Sequence, residues 1–167
     1  MLIRRIQAQD VPDFLALWTQ VFAEGAFLAK RPPPENKVLQ VVERVVKDQI
    51  PNFVAIDGLE LVGAVEVFPG SMCGFNDDNA ERRGYLGIQL AQRYRGKGIG
   101  RKLMQAAIDD ARSYGFEVIE LTVFQSNIAA IELYEKLGFK HTGYGKSIEL
   151  PVGLATTEQH MALSLKF

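Results

Sequence analysis

Residues Leu90 to Lys102 read LAQRYRGKGIGRK. A strand-like run leads into this stretch and a helical pattern leads out, so Gly96, Gly98 and Gly100 fall at a strand-to-helix junction. Five of its residues are basic (Arg93, Arg95, Lys97, Arg101 and Lys102) and none is acidic. The whole chain carries 19 Lys and Arg against 20 Asp and Glu, net charge −1, so this is a local concentration of charge. Glycines let the backbone turn tightly and approach a ligand closely. A helix that starts at the turn presents unpaired amides at the positive end of its dipole. That combination captures anions, phosphate above all. From the glycines alone, a plain turn with a solvated basic rim is an equally good reading.

Two common phosphate patterns fail here. The Walker loop needs Lys followed by Ser or Thr, whereas Lys97 is followed by Gly98. The dinucleotide fingerprint is G-x-G-x-x-G, and this chain has G-x-G-x-G. The segment instead resembles the pyrophosphate loop of GNAT-type N-acetyltransferases, whose signature is Gln or Arg, two residues, Gly, one residue, Gly or Ala. Arg95, Gly98 and Gly100 fit it. A second stretch similar to that family follows at the expected spacing: LTVFQSNIAAIELYEKLGF, Leu121 to Phe139, with Asn127, Tyr134 and the ending Gly138-Phe139.

At 167 residues the chain is expected to form one domain, residues 1–167, with a substantial core. The balanced charge argues against a general nucleic-acid or membrane-surface role. Aromatic interleaving of the basic stretch is limited to Tyr94, which weakens a nucleic-acid reading further. Cys73 is the single cysteine, so no intrachain disulfide can form. The start, MLIRRIQAQD, lacks a signal-peptide apolar run, and no stretch is long enough to span a bilayer. A soluble cytoplasmic protein is the expectation, without nucleic-acid or membrane partners and with a homodimer left open.

Taken in order, Leu2–Gln7 reads as a strand. Asp10 can cap a helix carrying Phe14, Leu17, Trp18, Val21 and Phe22 at helical spacing. The three prolines Pro32 to Pro34 fall within a loop, Ala23–Asn36. A second helix places Val38, Val41, Val42, Val45 and Val46 on one stripe and ends at Pro51. Asn52–Asp57 and Glu60–Phe68 read as a hairpin, followed by a polar loop, Pro69–Gly84. Tyr85–Gln92 is a strand, Ile99–Tyr114 a helix stopped by Gly115, and Glu117–Phe124 a strand. Ser126 or Asn127 caps a last helix with Ala130, Leu133, Tyr134 and Leu137 on one face. Phe139–Glu149 and Gln159–Phe167 close the chain as strands, with Met161, Leu163, Leu165 and Phe167 inward. The expected fold class is α/β: a mixed, largely antiparallel sheet of about seven strands flanked by about four helices.

The resemblance implies the GNAT fold, in which the fourth and fifth strands, here Tyr85–Gln92 and Glu117–Phe124, diverge around the pantetheine arm of acetyl-CoA. It implies that amides from Gly96 through Lys97, Gly98, Ile99, Gly100 and Arg101, with Arg95, hold the pyrophosphate. The free edge at Leu90, Ala91 and Gln92 would pair with the pantetheine, and a backbone N–H near Leu90 would donate to the oxyanion. Tyr134 matches the family tyrosine that assists the departing thiolate, and Asn127 an asparagine near the cofactor arm. The strand YLGIQLAQ lacks the carboxylate base common in the family, so Glu66, Glu120 or a water stays open as base. Alternation puts Glu66 on the face of Val62 and Ala64. His141, His160 and Cys73 read as structural or incidental, and no metal is implied. Asp77, Asp78 and Glu81 could attract a cationic amine. The implied activity is acetyl transfer from acetyl-CoA to a primary amine, small or on a peptide. The segments look most like members that act on α-amines of amino acids or protein N-termini. Polyamine, antibiotic or lysine acceptors, or a non-catalytic acyl-CoA sensor, are the alternatives.

Overall fold

The computed structural model describes residues 1–166, so the expected inward placement of Phe167 lies outside the described residues. The elements run β1 (Leu2–Arg5), α1 (Val11–Ala23), α2 (Glu35–Asp48), β2 (Asn52–Asp57), β3 (Glu60–Pro69), β4 (Arg83–Leu90), α3 (Ile99–Tyr114), β5 (Val118–Phe124), α4 (Ile128–Lys136), β6 (Lys140–Glu149) and β7 (Ala155–Ser164). The seven strands form one sheet in the order β1-β2-β3-β4-β5-β7-β6. Every neighbouring pair is antiparallel except β4–β5. A parallel pair needs a crossover, and α3 supplies it.

Helices cover both faces. On one face, Phe14, Leu17 and Val21 of α1 and Val38, Val42 and Val45 of α2 pack on Val54, Leu61 and Ala64. On the other, Leu103, Met104, Ala107 and Ile108 of α3, with Tyr134 of α4, pack on Val65, Ile119, Leu121 and Met161. The valine stripe of α2 is narrower than its spacing suggests: Val41 and Val46 are 40% and 41% exposed. Five consecutive-turn valines subtend more of the helix than one sheet face can bury. Pro51 does not end α2; Gln49 does, in the left-handed conformation with φ 54°.

Asp10 stands at the α1 N-cap position without bonding the helix amides. Its carboxylate instead takes a bidentate pair from Arg4, both contacts 2.8 Å, and the Gln7 amide at 2.7 Å. The polar Pro69–Gly84 loop contains two short 3₁₀ turns, and Asp77 in it is paired with Arg83 at 2.5 Å. Among the described residues no helix is long and apolar enough to cross a membrane.

Candidate active site

The parallel ladder between β4 and β5 holds only from Arg83 to Tyr85 against Val118 to Glu120. Beyond it β4 stays on β3 as far as Leu90, and β5 stays on β7 as far as Phe124. The facing edges therefore diverge, and a cavity of about 640 Å³ opens between them. Ala91 N–H is spent on Val62 O, 2.8 Å away. Strand alternation then sends Leu90 N–H the other way, into the gap. The Leu90 carbonyl on that same edge accepts from Arg95 Nε and Nη2 at 3.1 and 2.9 Å.

At the wide end of the gap the chain turns into α3. Gly96 and Gly98 adopt φ of 74° and 80°, which a side chain would strain, and a Cβ on either would meet nothing within 4 Å. The first backbone bond of the helix runs from Lys102 N–H to Gly98 O. The amides of Ile99, Gly100 and Arg101 are thus left at the open end. Of the five basic residues, Arg93 pairs with Glu60 and Arg95 with Glu24. Lys97, Arg101 and Lys102 have no carboxylate partner among the described residues, so their charge is available to an anion. The loop is held by the neighbouring hairpin: Tyr94 donates to Asp57 at 2.7 Å, and Lys97 Nζ lies 5.6 Å over the Tyr94 ring.

Tyr134 reaches the cavity from α4, from the face that α3 covers. It is 6% exposed, and burial alone pushes its phenol well above the ordinary tyrosine range. Glu66 reaches the cavity from the opposite face. An irregularity in the β2–β3 register at Ala55/Ile56 turns Val62 towards α3 while Ala64 faces α1. Simple alternation across Val62, Ala64 and Glu66 therefore breaks at Val62. Glu66 pairs with Gly87 of β4 and lies across it, so a Cβ at Gly87 would strike Glu66 Oε1. What exposure Glu66 has is to the cavity, with protein on the other sides, and burial raises its carboxyl to about 8. The gap thus joins a carboxyl from one face of the sheet to a phenol from the other.

The family model described as "Acetyltransferase (GNAT) family" matches residues 17–139. The chain belongs to this family. Among curated relatives, it is 38% identical over 71 residues to spermine/spermidine N(1)-acetyltransferase of Bacillus subtilis, covering 41% of this chain and 47% of that protein. It is 36% identical over 93 residues to N-alpha-acetyltransferase 30 of Schizosaccharomyces pombe, covering 53% and 56%. The match thus spans about half the length of each. Among solved structures, a phosphinothricin acetyltransferase of the GNAT superfamily from Sinorhizobium meliloti, in complex with AcCoA, superposes with a TM-score of 0.84. The identity there is 21%, over 98% of this chain and 88% of that one, and the likeness is one of fold.

Against this GNAT frame, several expected site residues sit differently. The Arg95 guanidinium points away from the loop it belongs to: it grips both oxygens of Glu24 at 2.6 and 2.7 Å and stacks 4.4 Å from the Phe27 ring. The spent Ala91 amide is unavailable to a pantetheine. Asn127 accepts from Ala130 N–H at 3.3 Å as the α4 cap while also lining the cavity. Glu120 is not among the lining residues; its Oε1 faces His160 Nε2 at 3.3 Å on the paired part of the sheet. His160 also meets Thr142 Oγ1 at 2.7 Å, and His141 pairs with Glu135 at 3.2 Å. The sequence reading missed Gln89, a lone polar residue within an apolar strand, and the wall residue Trp18 of α1. Gln89 was visible as the interruption in YLGIQLAQ; Trp18 read only as part of an apolar helix stripe. Phe27 and Leu28 bring the Ala23–Asn36 loop, an expected border of the acceptor site, to the cavity.

Proposed function

We propose that the protein transfers the acetyl group of acetyl-CoA to a primary amine within a ternary complex. The carrying observation is that one cavity between diverging strands contains an open glycine cradle, a buried phenol and a half-buried carboxyl. The cradle fits a diphosphate: its amides are unpaired, its glycine positions are unobstructed, and Lys97, Arg101 and Lys102 flank it in the chain without carboxylate partners among the described residues. Acetyl-CoA supplies an activated thioester. Leu90 N–H donates to the oxyanion as charge develops on the thioester oxygen, an interaction typically worth about 2.7–4 kcal/mol. Glu66 takes the proton lost by the attacking amine; with a pKa about 8 it is matched to an α-amine near 7.7–8.0. Tyr134 donates a hydrogen bond to the departing thiolate. A free thiol titrates near 8.5, and the phenol sits far above that, so full proton transfer is uphill and charge stabilisation is the role that remains.

The acceptor reading is an α-amine of an amino acid or a peptide N-terminus, as the name of the fission-yeast relative suggests for that protein. A polyamine, which the name of the Bacillus relative indicates for it, is the second reading. Of the cavity's carboxylates, Glu66 is sheltered and Glu158 is weakly paired with Lys146 at 3.9 Å, a sparse acid lining for a polycation. The test is a panel of amines with acetyl-CoA, read by thiol release. Tyr134→Phe is expected to lower kcat by about 10²-fold with little change in acetyl-CoA binding. Undiminished release by that variant would remove the phenol from the mechanism. No release from the wild type with any amine would leave an acyl-CoA-binding protein without transferase activity.

A further inference from the structure

Gln89 pairs with Ala64 on the ladder, two cross-strand pairs along from Glu66 and Gly87 and so on the same face. It is only 8% exposed, and its Oε1 is enclosed with no hydrogen-bond partner. Native packing rarely leaves a buried amide in that condition. The core cluster on this face, which includes Val21, Ala64 and Ala91, is apolar and does not need it. Yet the side chain lines the cavity, as do Glu66 and the apolar Trp18, Phe27 and Leu28.

The geometry points to Gln89 as the residue that anchors the acceptor, by pairing its amide with a carbonyl or amide group on the carbon that bears the reacting amine. This rests on the acetyl transfer proposed above and names what the acceptor must carry. A Gln side chain offers both an acceptor and two donors, and a half-turn of its amide exchanges them. A peptide or amino-amide group can meet whichever end faces the cavity, its carbonyl accepting from the NH₂ or its N–H donating to the oxygen. A polymethylene amine offers donors only. Residues two apart on a strand stand about 7 Å apart, and a hydrogen bond spans about 3 Å. An amine nitrogen held at Glu66, over Gly87, therefore places the carbonyl of its own α-carbon within reach of the Gln89 amide. The apolar wall then faces the side chain of the acceptor's first residue.

The test compares leucinamide with 3-methylbutylamine, which has the same skeleton without the carboxamide, as acceptors for the wild type and for Gln89→Met. Rates of thiol release are expressed per neutral amine. A site built to hydrogen-bond a group rejects the analogue lacking it. The wild type is expected to favour leucinamide by at least about tenfold in kcat/KM, and Gln89→Met to cut that preference by about tenfold. KM for acetyl-CoA should stay unchanged. A purely structural amide would alter melting temperature and leave the acceptor ratio alone. The inference is overturned if the ratio survives in Gln89→Met, if the wild type does not discriminate, or if the change falls on KM for acetyl-CoA, which would assign the amide to the pantetheine. The wild-type ratio alone decides the matter should the variant fail to fold. Activity with an unaltered ratio sinks this inference only; absence of release with every amine sinks it together with acetyl transfer.

Discussion

Glu66 and Tyr134 are ordinary residues placed where water stabilises their charged forms poorly. Burial is the whole cause of the shift in each. For the phenol this keeps a proton available for hydrogen bonding at any physiological pH. For the carboxyl it creates a base whose ionised fraction grows through the neutral range. The native carboxyl holds its proton up to about 8, whereas an unfolded Glu gives it up near 4.3. The native state therefore binds more protons between those values, and the stability this provides is fully present below about pH 4 and lost as pH rises through about 8. Glu66→Gln removes the dependence. Thermal melts should show the variant gaining on the wild type from pH 5 to pH 8, by on the order of 1–2 kcal/mol once solvent access from the cavity is discounted. With a weakly basic acceptor, neutral throughout, wild-type kcat/KM should rise with pH through about 8 and the variant's should be low and flat. A wild-type-like limb in Glu66→Gln would hand the base role to water.

At the scale of the element, the turn into α3 separates two jobs that its sequence mixes. Gly96 and Gly98 provide a backbone conformation and an empty cradle, while the side chains divide between binding and construction. Gly98→Ala and Gly98→Asp both strain the backbone at φ 80°, roughly 1–3 kcal/mol and no more for Asp than for Ala, but only the second adds negative charge where a diphosphate would rest. Calorimetric titration with CoA should show Gly98→Ala weakened a few-fold and Gly98→Asp by well over tenfold. Equal losses would mean that backbone geometry, not charge, governs the cradle. The basic run also shows the limit of counting charges: Arg93 and Arg95 are consumed by Glu60 and Glu24, partners 33 and 71 residues away. No window of local sequence contains them.

Over the whole molecule, Arg95 joins parts of the site that lie far apart in the chain. One guanidinium holds the Leu90 carbonyl on the gap edge, Glu24 at the end of α1, and the Phe27 ring in the cavity wall. Lysine cannot reproduce a planar fork that bonds and stacks at once. Arg95→Lys should raise KM for both acetyl-CoA and the amine. A melting cycle with Glu24→Gln should give a coupling on the order of 1–3 kcal/mol; additive single changes would show the pair to be incidental.

The family, the element order and the mixed sheet were legible because each rests on a local pattern: glycine spacing, apolar period, and proline or glycine stops. The glycine turn before α3 and the placement of Tyr134 on an inward helix face belong to the same class. Sequence alternation failed at Val62, because a register shift is a property of two strands together. It also could not choose between Glu66 and Glu120, which are alike in sequence. The ladder separates their positions: Glu120 lies where β4 and β5 still pair, and Glu66 lies over Gly87 where they have parted. The chain thus specified by itself which backbone could cradle an anion and which helix would carry the phenol. The tertiary structure alone decided which carboxyl is half-buried at the gap, which arginine is spent and which amide is left unpaired, because each depends on which distant segments meet around that gap.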